Sequence, residues 1–175
     1  LVDPDGPGPA PALALLDGRS RLTVKTPKSW NLEFQTGIDP DTLIFGSIRW
    51  VDWSDFRVDP EKLFQVTGSG LVDLDDTTTF TIGVGRTFTK TWSGVASVTY
   101  EKSGNDLVSP LAPVNGRKGV SLAAIYTQDR IRITTGVSYT KLGDARPETG
   151  TPDTARAEID GSHAWGVGIR VGYSF

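Results

Sequence analysis

The feature that most limits what this chain can fold into is a period of two in hydrophobicity that returns in segment after segment. Between Trp30 and Ile38, the residues Trp30, Leu32, Phe34 and Ile38 share one face, while Asn31, Glu33, Gln35 and Gly37 share the other. Alternation of this kind marks a strand with one apolar face. Phe80, Ile82 and Val84 alternate with Thr79, Thr81, Gly83 and Gly85, and Ala96, Val98 and Tyr100 with Ser97, Thr99 and Glu101. Val120, Leu122, Ala124 and Tyr126 oppose Ser121, Ala123 and Thr127, with Ile125 out of step. Ile131, Ile133, Val137 and Tyr139 oppose Arg132, Thr134, Gly136, Ser138 and Thr140. The last segment sets Trp165, Val167, Ile169, Val171, Tyr173 and Phe175 against Ala164, Gly166, Gly168, Arg170, Gly172 and Ser174. Leu43–Trp53 is less regular, although Ile44, Ile48 and Trp50 share a face.

The connections carry a second pattern. Short turns at Asp39–Thr42, Thr89–Thr91 and Gln128–Arg130 alternate with long polar stretches at Ser54–Asp76, Ser103–Gly116 and Gly143–Gly161. Outer-membrane barrels join their strands by short periplasmic turns and long external loops, whereas a soluble sandwich needs no such asymmetry. With the long loops outside, the first strand segment, 20–38, runs inward. The apolar-face aromatics then form two belts. Trp30, Trp50, Tyr100, Tyr139 and Trp165 fall near the external ends, and Phe88, Trp92, Tyr126, Tyr173 and Phe175 near the periplasmic ends. Amphipathic rings prefer the headgroup level, so two girdles are what a barrel in a bilayer requires. The expected fold is therefore all-β, an antiparallel transmembrane β-barrel in a bacterial outer membrane, in contact with lipid.

About seven strands are expected, the first long and carrying Pro27, which a rim or bulge tolerates. Bacterial single-chain barrels have an even number of strands, at least eight, so that no edge is left unpaired in lipid. The expectation is a piece of a larger barrel, with 1–18 the extended end of an external loop and 19–175 C-terminal strands. A further strand within Leu13–Thr26, closing a small barrel, is the alternative. The start, LVDPDGPGPAPALALL, lacks the basic n-region of a signal peptide. No run approaches the roughly 20 apolar residues of a membrane-spanning helix. The net charge of −3 offers no basic surplus for nucleic acid, and the absence of cysteine removes thiolate metal sites.

The closing GVGIRVGYSF places aromatics at the last and third-last positions, Phe175 and Tyr173, in the form of the sorting signal read by barrel-assembly machinery. The ordered series TPKSWNLEFQTGIDPDTLIFGSIRWVDWSDF (26–56), TIGVGRTFTKTWSGVASVTYEKS and GVGIRVGYSF resembles the FadL family of outer-membrane transporters of long-chain fatty acids and other hydrophobic compounds. Its marks are Pro27, the aromatic-led strand from Trp30, a turn, and an ascending strand ending in Trp50, Trp53 and Phe56. The resemblance covers most of 20–175 and implies a 14-stranded barrel plugged by an N-terminal hatch, of which this chain supplies the C-terminal half. The partner of its free edges is then the upstream half of the same barrel. It also implies passive uptake of a hydrophobic small molecule, with hatch and most of the ligand pocket upstream.

Glu33, Arg49, Glu101, Arg132 and Arg170 fall on the polar parity, where bracing ion pairs are the expected role. Arg132 and Arg170 are also candidates to meet a substrate carboxylate. Leu63, Phe64 and Val66, with Leu71, are apolar positions in an otherwise polar loop, suited to greet a greasy ligand or to pack the loop on itself. Ala10–Leu16 is a similar patch behind Pro4, Pro7, Pro9 and Pro11. His163 is the single histidine, and with Asp160 it makes no catalytic set. Asp73, Asp75 and Asp76 lack calcium-loop spacing, and Gly166, Gly168 and Gly172 lack that of a dinucleotide fingerprint. No enzyme activity, cofactor or metal is expected. A general-diffusion barrel for polar solutes is the alternative function, with an outer-membrane enzyme third.

Overall fold

The computed structural model describes residues 22–67, 72, 74–104, 107–109, 111, 114–149 and 154–175. Seven long strands form one antiparallel sheet: β1 (Ser29–Asp39), β2 (Thr42–Val51), β3 (Thr77–Thr87), β4 (Trp92–Glu101), β6 (Arg117–Gln128), β7 (Ile131–Leu142) and β10 (His163–Tyr173). Each long strand pairs with the next one in the chain. The sheet is not closed, and β1 and β10 are its two ends. The fold is thus all-β in its framework, with the seven strands that the periodicity predicts.

All three short turns fall where the sequence places them, at one end of the sheet, and all three long loops lie at the other. At Asp129 the turn between β6 and β7 takes φ of 51°, the left-handed region that Asp tolerates better than most residues. The loops carry structure that the periodicity did not predict. Between β2 and β3 stands the short helix α1 (Glu61–Thr67). The two later loops contribute β5 (Leu107–Val108), β8 (Arg146–Thr149) and β9 (Thr154–Ala155), which form a small mixed sheet. Asn115, 5 % exposed, ties these loops together, accepting from Gly104 N at 2.7 Å and donating to the Asp144 carbonyl at 3.0 Å. Beside it Gly143 N donates to the Gly116 carbonyl at 3.0 Å, and Gly116 has φ of 72°.

The expected first strand, 20–38, is shorter than predicted. Pairing begins at Ser29, and residues 22–28 are not strand. Pro27 therefore lies outside the ladder, where its missing N–H costs nothing, and the next residue, Lys28, already accepts from Asp52 N at 2.9 Å. At the other end of β1 a register shift between Gly37 and Asp39 places Ile38 in a bulge. The expected terminal segment 1–18 lies outside the described residues.

Apart from the bulge in β1 the register is continuous across the sheet, so the predicted apolar sets, Ile38 excepted, fall on one face. One row runs Phe34, Gly46, Ile82, Val98, Val120, Tyr139, Trp165, and the next Thr36, Ile44, Val84, Ala96, Leu122, Val137, Val167. This apolar face is the exposed one: Ile82 is 53 % exposed, Val98 50 % and Leu122 53 %, all on central strands. Thr81, Ser97, Thr99, Ser138 and Thr140 on the opposite face are half-buried. Among the described residues the buried apolar set is only Val51, Val72 and Ala145. The distribution is the reverse of a water-soluble core, where burial of each large side chain is worth roughly 1.5–3 kcal/mol. Cross-strand ring contacts occur at both ends of the exposed face. Tyr139 and Trp165 lie 4.8 Å apart at the loop end, and Trp92 and Tyr126 lie 5.1 Å apart at the turn end.

Candidate functional site: an apolar row across the polar face

The polar face of a strand in this sheet reads Ser, Thr, Gly or a charge at most positions, but one row departs from it. Gly37, Leu43, Gly85, Val95, Ala123, Gly136 and Gly168 are successive cross-strand partners and place no polar side chain on any of the seven strands. One step toward the turns, Ile125 sits on the same face, half-buried. The misfit residue of the segment Val120–Thr127 thus obeys strict alternation: β6 pairs without a register shift, and Ile125 adds to an apolar zone on the polar side. One step toward the loops, Phe45 pairs with Gly83 and lays its ring where a Cβ on Gly83 would stand. Leu43 covers Gly85 in the same way, with side-chain carbons 3.4 Å from a Cβ built there.

Small residues along this row leave room above the sheet. A groove of about 530 Å³ on the β4–β6–β7–β10 side is lined by Val95, Ala123, Gly136 and Gly168 of the row, by Ser97, Ser121, Ser138 and Gly166 above it, and by Thr134 and Arg170 below. Three chemistries are stacked along the strands in order: hydroxyls, then apolar surface, then a guanidinium. An amphiphile with an acidic head matches this order, because a chain can lie on the dry row while its carboxylate meets Arg170.

The structure separates the predicted site residues. Arg170, exposed on β10, borders the groove. Arg132 is on the same face but nearer the turns, opposite Thr127 and Gly172. Phe64 is exposed on α1, a loop helix at the far end of the strands, and does not join them. Leu63 and Val66 are on the same helix, with side chains outside the described residues, and Leu71 lies outside the described residues altogether. Of the five charges expected to brace the wall, Glu101 alone is ion-paired among the described residues. Glu33 accepts from Asn31 at 2.6 Å, and Glu101 pairs with Arg117 at 3.4 Å while accepting from Thr79 at 2.5 Å. Among the described residues Arg49, Arg132 and Arg170 form no ion pair. The reason is registry: Asn31 and Thr79 are the partners of Arg49, and the carboxylates sit one strand or one row away. No group of acids or histidines arranged for a metal occurs among the described residues.

The apolar row was visible in the sequence only as small breaches of pattern, namely Leu43, Val95 and Ile125 on a polar parity and several glycines. Their alignment into one row required the register. A scan against protein-family models returns no match, and neither does a search of curated proteins. Among solved structures, a Pseudomonas aeruginosa FadL homologue matches with a TM-score of 0.55 and 18 % sequence identity over 83 % of this chain. The chain spans 33 % of the length of that structure. At this identity the likeness concerns the fold, and the fold of this chain is that of a FadL-like barrel wall.

Proposed function

We propose that this chain forms the C-terminal seven strands of a 14-stranded outer-membrane barrel that takes up long-chain fatty acids or similar hydrophobic compounds by passive diffusion. The observation that carries the reading is the unbroken apolar row on the otherwise polar face. A pore for polar solutes gains nothing from a dry band around its wall, whereas an apolar ligand needs one. Lipid is the solvent that suits the opposite face, where large apolar side chains stand exposed between two sets of contacting aromatics. The free edges of β1 and β10 call for further strands, since unpaired backbone groups cost several kcal/mol each in hydrocarbon. The upstream half of the barrel supplies them in this reading, and the barrel-assembly machinery engages Tyr173 and Phe175. No step of this function is enzymatic. Binding and release alone move the ligand, and no cofactor takes part.

The serines of the adjoining row (Ser97, Ser121 and Ser138) favour the second reading, a general-diffusion pore. Uptake into liposomes separates the two. Oleate entry that is lost in the Val95→Asp protein, with little leakage of small sugars in either protein, supports the transporter. Sugar leakage that is indifferent to Val95→Asp refutes it.

A further inference from the structure

On the exposed apolar face, the row at the loop end places two cations on adjacent strands. At the loop end Tyr100, Lys118, Lys141 and His163 are successive cross-strand partners on β4, β6, β7 and β10. They share their parity with Val98, Val120, Tyr139 and Trp165, one step nearer the turns. Lys118 and Lys141 are directly opposed and both exposed, and like charges so placed destabilise a strand pair. Neither lysine has an ion-pair partner among the described residues. Lys141 also borders a loop recess with Asp144, Glu158 and Asp160, but none of these carboxylates comes within ion-pair distance of it. Lys118 has an aromatic partner, its Nζ lying 5.9 Å from the Tyr100 ring centroid. Two lysines forced together on an apolar surface want an anion, and that surface limits what the anion is attached to.

We infer that Lys118 and Lys141 form a docking site for a phosphate-bearing anionic lipid, in the leaflet on the loop side of the barrel, for which phosphatidylglycerol serves as the probe. The headgroup phosphate sits between the two ammonium groups, and His163 flanks it. The acyl chains run down Val120, Leu122, Val137 and Tyr139, a path toward the turns that a soluble anion or an acidic protein has no means to use. Charge complementarity thus selects the head and apolar continuity selects the tail. The inference rests on the reading of the apolar face as lipid-facing, so the two need separate readouts.

The test uses the native protein purified from membranes, with phosphatidylglycerol and phosphatidylcholine titrated into detergent micelles and bound lipid counted by native mass spectrometry. Each basic residue near a membrane surface adds to the attraction for anionic lipid, so K118Q/K141Q is expected to weaken phosphatidylglycerol binding on the order of tenfold or more. Phosphatidylcholine binding should not change. K141E turns the like-charged pair into an opposite-charged one, so it should hold or raise thermal stability while abolishing the phosphatidylglycerol preference. That variant separates loss of the site from loss of the fold. Undiminished phosphatidylglycerol binding by K141E overturns the proposal, as does inorganic phosphate competing at the concentration of the lipid. In parallel, lipids with brominated chains should quench tryptophan emission. Without quenching, the lipid-facing reading itself fails. With quenching but no effect of the lysines, only the docking site falls.

Discussion

The contact between Phe45 and Gly83 allows a quantitative test of the register on which the site depends. A Cβ added at Gly83 runs into the Phe45 ring and stands 2.8 Å from the backbone oxygen of Ala96. The ring can swing aside, but the oxygen belongs to β4, in the middle of the sheet, and cannot. Overpacking of this kind costs about 1–3 kcal/mol, offset by roughly 0.4–1 kcal/mol from the stiffer unfolded chain. Two residues along the same strand and face, a Cβ at Gly85 meets only Leu43 at 3.4 Å, an ordinary contact. Gly85→Ala should therefore be neutral or slightly stabilising, and Gly83→Ala destabilising, with a gap of about 2 kcal/mol between them. With a urea slope of roughly 2 kcal/mol/M, the midpoints should differ by about 1 M. The assay is reversible urea unfolding in lipid vesicles, followed by tryptophan emission. Combining Phe45→Ala with Gly83→Ala should recover about 1 kcal/mol of the loss, since only the Ala96 contact remains. Equal midpoints for the two glycine variants, or strict additivity with Phe45→Ala, would refute the placement of the ring over Gly83 and with it the register of β2 on β3.

Two further outcomes follow from polar contacts at the loop end. Glu101→Ala removes the partner of both Arg117 and Thr79, and because Arg117 is half exposed the loss should be about 1–2 kcal/mol, read as a lower urea midpoint. Asn115→Ala leaves the Gly104 N–H and the Asp144 carbonyl without their partner and should speed amide exchange and proteolysis in the loops after β4 and β7 while leaving exchange in the seven long strands unchanged.

The framework was legible because a strand with different solvents on its two faces must alternate, and alternation survives in a single sequence. The periods at Trp30–Ile38, Val120–Tyr126 and Trp165–Phe175, together with the short–long order of the connections, identify the seven strands and the ends at which their aromatics stand. Local geometry decided less obvious points. Pro27 shortens β1 because proline cannot donate to a ladder, and α1, seven residues within a long polar loop, is too short for periodicity to reveal. Ion pairs were not legible, because parity says which face a charge occupies but not which charge lies opposite; the partner of Glu101 is Arg117. The functional rows depend on the same quantity. Leu43, Val95 and Ile125 look like errors in a pattern, and Lys118 and Lys141 look like two scattered lysines, until hydrogen-bond register sets them side by side. Sequence alone determines the period of each strand, since that follows from the chain's own stereochemistry. Register is set by pairing between strands distant in sequence, so only the tertiary structure could align one residue from each strand into an apolar band on one face and a cationic pair on the other.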